Sequence, residues 1–346
     1  MGIATHPAET DLWLPLPSGE HWDPWTIHTH YFGCSIPEAE LGAFIYLRYQ
    51  PAFPLSQGGV CIFRGVENLS VGDLAFVDYR NTMPWPAIDG NVITSANGLR
   101  IEFLRPGHSV HLTFQGAGAS FDLVQEAVTP LLARGHVMPG EERDSDPALA
   151  PGGSEQFMHV AGELVLGGER YEVDCFAPRD RSWRQVRTEA PGAPVPPIGW
   201  SPMCFDGDLV FNQVSYEPAD TEPAWLGTYD VPADRPSHHF AWVIEDGATR
   251  DIVRVRRDVL ERHPTLYAAT RQEIEAEDEG GRVYRFSGRA LAMAPIPAWP
   301  NVTFHDSVYR WEDEHGRVTH ATYQEIWFDA YQRAMRRGRA GAAVPR

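Results

Sequence analysis

From residue 26 to 128 apolar and polar positions alternate with period two, and turn residues interrupt the pattern roughly every ten positions. The segments TIHTHYFGCSI, GAFIYLRYQ, GGVCIFRGV, GDLAFVDYR, NVITSANGLRIEFLR and SVHLTFQGAGASFDLVQEAV read as successive strands. A stretch rich in proline, glycine and acid (134–155) breaks the pattern, which restarts at FMHVAGELVLGGERYEVDCF. Gly167-Gly168, Asp206-Gly207, Asp246-Gly247 and Gly280-Gly281 each separate two alternating arms, the signature of a hairpin. Helical spacing occurs only in the tail, at Ile326, Phe328, Ala330, Tyr331 and Met335, followed by arginines that suit a helix C-terminus. Strand–turn–strand runs without intervening helices predict an all-β antiparallel sandwich or barrel with a short C-terminal helix. The 134–155 stretch is the expected linker, dividing the chain into residues 1–150 and 151–346. A second break at 188–200 holds four prolines and predicts a long loop.

Composition narrows the function classes. A chain of 346 residues that is 43% apolar, with 11 Trp, 12 Tyr and 16 Phe, supplies a sizeable core. A net charge of −18 argues against nucleic acid and anionic membrane surfaces as partners. All 29 basic side chains are arginine. Without lysine, Schiff-base chemistry, a P-loop lysine and a pyridoxal phosphate anchor are excluded. No G-x-G-x-x-G opens a helix and no G-x-S-x-G elbow occurs, so no cofactor is expected. Cys34, Cys61, Cys175 and Cys204 form no C-x-x-C pair and read as free thiols. The N-terminus shows no signal-like apolar run and no stretch reaches membrane-spanning length, so the expected location is cytoplasmic. The oligomeric state is not legible.

The densest chemistry lies in YEVDCFAPRDRSWRQVR, residues 171–187. Arginines on both sides of Asp180 favour its ionised form, which suits an ion-pair clamp or anion site. In an extended chain Asp180 and Ser182 share one face, and Arg179, Arg181 and Trp183 share the other. Two roles fit equally: a structural clamp between the two halves, or the wall of a site. Asp174 lies on the same face as Glu172 and Phe176. Were that face inward, a buried Asp174 would hold a proton to donate; an outward polar face is the commoner case. His28 and His30 alternate in one strand and share a face, read as polar pocket lining with no metal, because no third ligand follows at suitable spacing. His159, His239 and Tyr323 complete the groups able to carry protons or bind substrate.

The segment HVAGELVLGGERYEVDCFAPRDRSWRQVR resembles the central motif of the hydroxyneurosporene synthase (carotenoid 1,2-hydratase) and AttH-like superfamily, in which a hairpin precedes an R-D-H-S-W-G-x-R run. Arg179, Asp180, Ser182 and Trp183 match that run, and Arg187 stands one position past its closing arginine. Arg181 stands where the family usually has histidine, and Arg184 where it usually has glycine. An arginine cannot shuttle a proton as histidine can. The openings HWDPWTIHTHYFGCSIPEAELGAFIYLRYQP and the closing TYQEIWFDAYQRAM are also similar to the family. The resemblance implies two lipocalin-like antiparallel β-barrel domains around a hydrophobic cavity. It also implies hydration, cyclising or pericyclic chemistry on terpenoid or phenolic molecules.

The combined expectation is a cofactor-independent lyase or isomerase acting on a hydrophobic terpenoid, steroid or polyketide-like molecule. Asp174, His239 and Asp180 are the candidate catalytic residues, with Trp183 and Trp242 shielding a cation. Arg179, Arg181, His159, His28, His30 and Tyr323 line the substrate site. The rival expectation is a non-catalytic carrier of a hydrophobic metabolite.

Overall fold

The computed structural model describes residues 4–15, 22–134, 152–186, 197–218, 220–225, 228, 237–299 and 302–342, with side chains to 338. It is all-β with one short helix, as expected. In chain order the strands are β1 (Thr26–Ile36), β2 (Leu41–Gln50), β3 (Leu55–Arg64), β4 (Phe76–Pro84), β5 (Ala87–Asp89), β6 (Val92–Thr94), β7 (Arg100–Arg105), β8 (Ser109–Gln115), β9 (Ala119–Ala127), β10 (Leu132–Ala133) and β11 (Gly152–Leu166). There follow β12 (Glu169–Val186), β13 (Ile198–Trp200), β14 (Met203–Phe205), β15 (Leu209–Tyr216), β16 (His238–Glu245), β17 (Ala248–Arg262), β18 (Ala269–Asp278), β19 (Val283–Trp299), β20 (Val302–Asp313) and β21 (Val318–Phe328). Helix α1 spans Asp329–Ala342.

Two units result. The N-terminal unit comprises Ile3–Arg64 and Leu74–Thr188; the C-terminal unit comprises Met1–Gly2, Gly65–Asp73 and Glu189–Arg346. The boundary therefore falls at 188/189 and not at 150/151. Backbone pairing explains the shift: the β11–β12 hairpin joins β9 through β11 and β1 through β12, and so completes the first sheet. Most of the expected linker, residues 135–151, lies outside the described residues, as does the proline-rich 187–196.

The sheet of the N-terminal unit runs β4-β3-β2-β1-β12-β11-β9-β8-β7-β6-β5, with β10 paired to β11. It curls into a half-barrel. Its two ends are bridged by side chains, since Asn97 of the β6–β7 turn donates to the Asp78 carbonyl of β4 at 3.0 Å. The concave face follows the period of two: Phe32, Cys34 and Ile36 of β1, Ala43, Ile45 and Leu47 of β2, and Val173 and Ala177 of β12 form one apolar cluster. Burying a side chain of this size contributes about 1.5–3 kcal/mol.

The C-terminal unit is a ring. Its order β13-β21-β20-β19-β18-β17-β16-β15-β14 closes because β13 also pairs with β15. Closure pairs every strand of the ring on both sides except β14, which pairs with β15 alone. Turns bear out the hairpin reading: Asp246 and Gly247 both have positive φ, 51° and 73°, the type I′ geometry that matches strand twist. Helix α1 begins at Asp329, later than the spacing suggested, because Ile326–Phe328 still pair in β21. It buries Tyr331, Ala334 and Met335 against Trp225 and Trp327.

A buried ion-pair network occupies the middle of the ring. Arg257 donates to Tyr323 Oη at 2.9 Å and to Glu325 Oε1 at 3.0 Å, with both charged groups fully buried. Glu325 also accepts from the Ala269 amide at 2.9 Å. Gly199 of β13 lies against this group, and a Cβ there would sit 2.8 Å from Arg257 Nε and from Tyr323 Oη. Gly199→Ala is therefore expected to destabilise the protein by about 1–3 kcal/mol in urea denaturation; an unchanged midpoint would contradict this packing.

Candidate functional site

Every second residue of β12 faces the concave interior, and chemistry changes along that face. Val173, Cys175 and Ala177 are apolar; Arg179, Arg181 and Trp183 follow with the same parity. Register brings matching polar residues beside them: His30 of β1 and Ser154 of β11 oppose Arg181, and Gln156 opposes Arg179. One end of an apolar half-barrel is thus lined by buried polar groups.

The 3-10 turn Ala8–Leu12 covers that end. Arg179 Nη2 donates to Asp11 Oδ2 at 2.7 Å and its Nε donates to Gln156 Oε1 at 2.8 Å. The Gly107 amide donates to the same Asp11 oxygen at 2.6 Å. Arg181 donates to the Thr10 carbonyl. On the opposite face Arg134 donates to Asp180 Oδ2 at 3.0 Å and to Ser182 Oγ at 2.7 Å. The facial division read from the sequence holds: Asp180 and Ser182 share one partner, and Arg179 and Arg181 reach the turn.

Trp183 is buried between the edges of His6, at 5.2 Å, and Trp13, at 5.5 Å, with the Arg181 guanidinium 5.6 Å from its ring. Gly152, its neighbour on β11, makes this possible, because a Cβ there would lie 2.7 Å from the indole. Between Ile27 and Thr29 the β1–β12 register shifts, so Trp183 and Arg184 together oppose His28 in a bulge. Arg184 has φ of 52°, the left-handed region that favours glycine. This is the position where the resembled motif carries glycine. The backbone keeps the glycine conformation, and the Arg184 guanidinium instead stacks 4.5 Å from the Trp22 ring. Arg187, one position past the end of the motif, lies outside the described residues.

A cavity of about 10 Å³, room for about one water molecule, is lined by Asp11, His30, Phe32, Ser154, Arg179, Asp180 and Arg181. His30 Nδ1 shares a hydrogen bond with the Tyr49 hydroxyl, 3.1 Å away, and its Nε2 is buried without a protein partner. Burial, with Arg181 and Arg179 adding repulsion, holds His30 well below the usual imidazole range. His28, whose two ring nitrogens are also unpartnered, is pushed down to about 3 by burial and by Arg181 and Arg184. Both are neutral at pH 7. Burial also pushes Arg181 down to about 10, despite the attraction of Asp11.

The other expected residues lie elsewhere. Asp174 and His159 pair with each other at 2.6 Å on the outer face, the carboxylate 73% and the imidazole 44% exposed. The inward, proton-holding Asp174 is not what the structure shows, because Tyr171, Val173 and Cys175 take the core side of that strand. His239 belongs to the C-terminal unit, its ring 4.7 Å from Tyr216. Tyr323 lies inside the ring on Arg257, and Trp242 is buried with parity opposite to Ala241 and Val243 of the ring core. The structure therefore brings together Arg179, Arg181, Asp180, Trp183, His28 and His30; Asp174 and His159 lie on the outer face of the same unit, and His239, Trp242 and Tyr323 belong to the C-terminal unit. Asp11, Gln156, Tyr49 and Arg134 were missed. Asp11 sits outside any alternating segment and gave no signal; Tyr49 gave one, standing at the parity of Ile45 and Leu47. No group of three or more metal-ligating side chains occurs among the described residues.

Comparison with known proteins places this fold. The profile of the DUF7064 family, described as a domain of unknown function, matches residues 18–323. No curated protein matches the sequence. Among solved structures, a putative AttH from Nitrosomonas europaea is similar at 15% identity and a TM-score of 0.50, covering 90% of this chain and 96% of its own. Kievitone hydratase from Nectria haematococca is similar at 10% identity and 0.52, covering 88% and 89%. CghA with Sch210972 is similar at 10% identity and 0.51, covering 88% of each chain. At these identities the likeness establishes an AttH-like fold.

The neutral, buried histidines set a pH dependence. Unfolded histidine titrates near 6.5 and folded His28 near 3. Stability is fully present above pH 6.5 and falls as pH drops toward 3, because only the unfolded chain takes up the protons. Each such histidine costs about 1.4 kcal/mol per pH unit in that window. Urea midpoints measured from pH 7.5 downward are expected to fall, and His28→Gln to remove one proton from the slope; an unaltered slope would contradict the buried neutral assignment.

Proposed function

For this chain, which belongs to the DUF7064 family, we propose a lyase or isomerase of the hydratase or cyclase kind, acting on a hydrophobic small molecule at the polar end of the N-terminal half-barrel. Kievitone hydratase and CghA share its fold, which supports the class of reaction. The observation that carries the reading is His30: a buried imidazole with an unpartnered Nε2, beside a cavity, between two buried arginines and next to an apolar interior.

Electrostatics favours one chemistry over another. Arg179 and Arg181 repel a developing carbocation, and the Trp183 face that would have shielded one is occupied by Arg181. The same cations favour negative charge on an oxygen. The reaction that fits is addition or loss of water, or double-bond isomerisation, next to a carbonyl that becomes enolate-like. The Tyr49 hydroxyl has His30 Nδ1 as its hydrogen-bond acceptor, and burial keeps that hydroxyl protonated. The imidazole proton then resides on Nε2, where neutral His30 acts as a hydrogen-bond donor to the substrate oxygen. The cavity holds about one water, so a larger substrate enters only when the Ala8–Leu12 turn moves aside.

The test uses isotope incorporation. Purified protein is incubated with an extract of hydrophobic metabolites in H₂¹⁸O and, separately, in D₂O, and products are followed by mass spectrometry. Label is expected to enter a specific product, about 100-fold more slowly with His30→Ala. Recovery of retained, unlabelled ligand alone would make the protein a carrier and overturn the reading.

A further inference from the structure

Two arginines line the cavity, and only one is free to receive a ligand. Arg179 is committed to Asp11 and Gln156. Asp180, the other carboxylate of the cavity, is held by Arg134. Arg181 is buried, and among the described residues no carboxylate lies in ion-pair contact with it; its partners are the Thr10 carbonyl and the Trp183 face. Asp11 attracts Arg181 only from beyond ion-pair distance, and a buried cation with no carboxylate in contact is costly unless a ligand supplies one. Beside it stands His30, 98% buried by its 2% relative exposure, with Nε2 unpartnered.

We propose that Arg181 and His30 Nε2 form a receiving site for an oxyanion, and that the ligand of the N-terminal unit is an apolar molecule bearing a carboxylate or an equally acidic enol. The inference rests on the reading that a hydrophobic ligand enters this interior. The planar guanidinium suits a carboxylate, which can accept two parallel N–H bonds. The apolar remainder lies along Phe32 and the aliphatic concave face. Arg181 stands where the resembled motif usually carries histidine, so the charge preference belongs to this chain.

Octanoate and 1-octanol are the probes, titrated calorimetrically into the full-length protein at pH 7.5. They share a chain length and differ in the charged head group. The wild type is expected to bind octanoate about 10- to 100-fold more tightly than octanol, the range for a charge-assisted hydrogen bond. Arg181→Gln is expected to bring octanoate down to the level of octanol. Equal binding of both probes by the wild type would overturn the anion site while leaving the hydrophobic-ligand reading intact. Binding of neither would overturn both. Because the comparison is made within the wild-type protein, it stands even if Arg181→Gln fails to fold. A ¹⁵N spectrum of His30 gives an independent reading: Nε2 is expected to shift on octanoate addition, and no shift would place the probe elsewhere and overturn the proposal.

Discussion

The hydrogen-bonded ion pair from Arg179 to Asp11 is the constraint on which the N-terminal unit depends. It ties an irregular turn to the end of a half-barrel across 168 residues of sequence, and both charges are almost wholly buried. Such a pair survives burial only where further hydrogen bonds satisfy the remaining atoms. Here Gln156 and the Gly107 amide supply them. Because Asp11 is consumed by Arg179, the next arginine on the same face has no carboxylate left. The pair that holds the turn on the half-barrel therefore also leaves the buried Arg181 with no carboxylate in ion-pair contact among the described residues.

The C-terminal ring also pairs its buried arginines with carboxylates. Arg257 faces Glu325 directly and Glu217 at 3.8 Å, while Arg262 pairs with Glu217 and lies over Trp225 and Trp327. Glu222 also lies 3.7 Å from Arg262, so three carboxylates face two guanidinium groups there. The two units thus share a construction, polar groups buried among strands.

Period-two alternation carried most of the fold. It placed the hairpins at Asp206-Gly207 and Asp246-Gly247, and it separated the Asp180 and Arg181 faces, because side chains in a strand have two directions only. The same rule, applied to VRVRRDV, puts Arg257 at the parity of Val255 and Val259, a buried cation that was legible in principle. What alternation cannot reveal is pairing between distant segments. A proline- and glycine-rich break such as 134–155 resembles a linker whether or not the next hairpin returns to the preceding sheet. Asp11 was invisible because its partner is set by long-range packing and it lies in no periodic segment. Asp174 stood on a polar face whose direction depended on which side of β12 met the core, and the apolar Val173 and Cys175 decided it.

The most direct test of this account is a double-mutant cycle on Asp11 and Arg179, using Asp11→Leu, Arg179→Met and the pair, followed by urea denaturation at pH 7.5. If the buried pair holds the turn on the barrel, each single variant leaves an uncompensated charge and loses about 3–5 kcal/mol. The double variant should lose far less than the sum, with a coupling of about 2 kcal/mol or more. Additive losses, within about 0.5 kcal/mol, would show that the two charges do not depend on each other and would contradict the account.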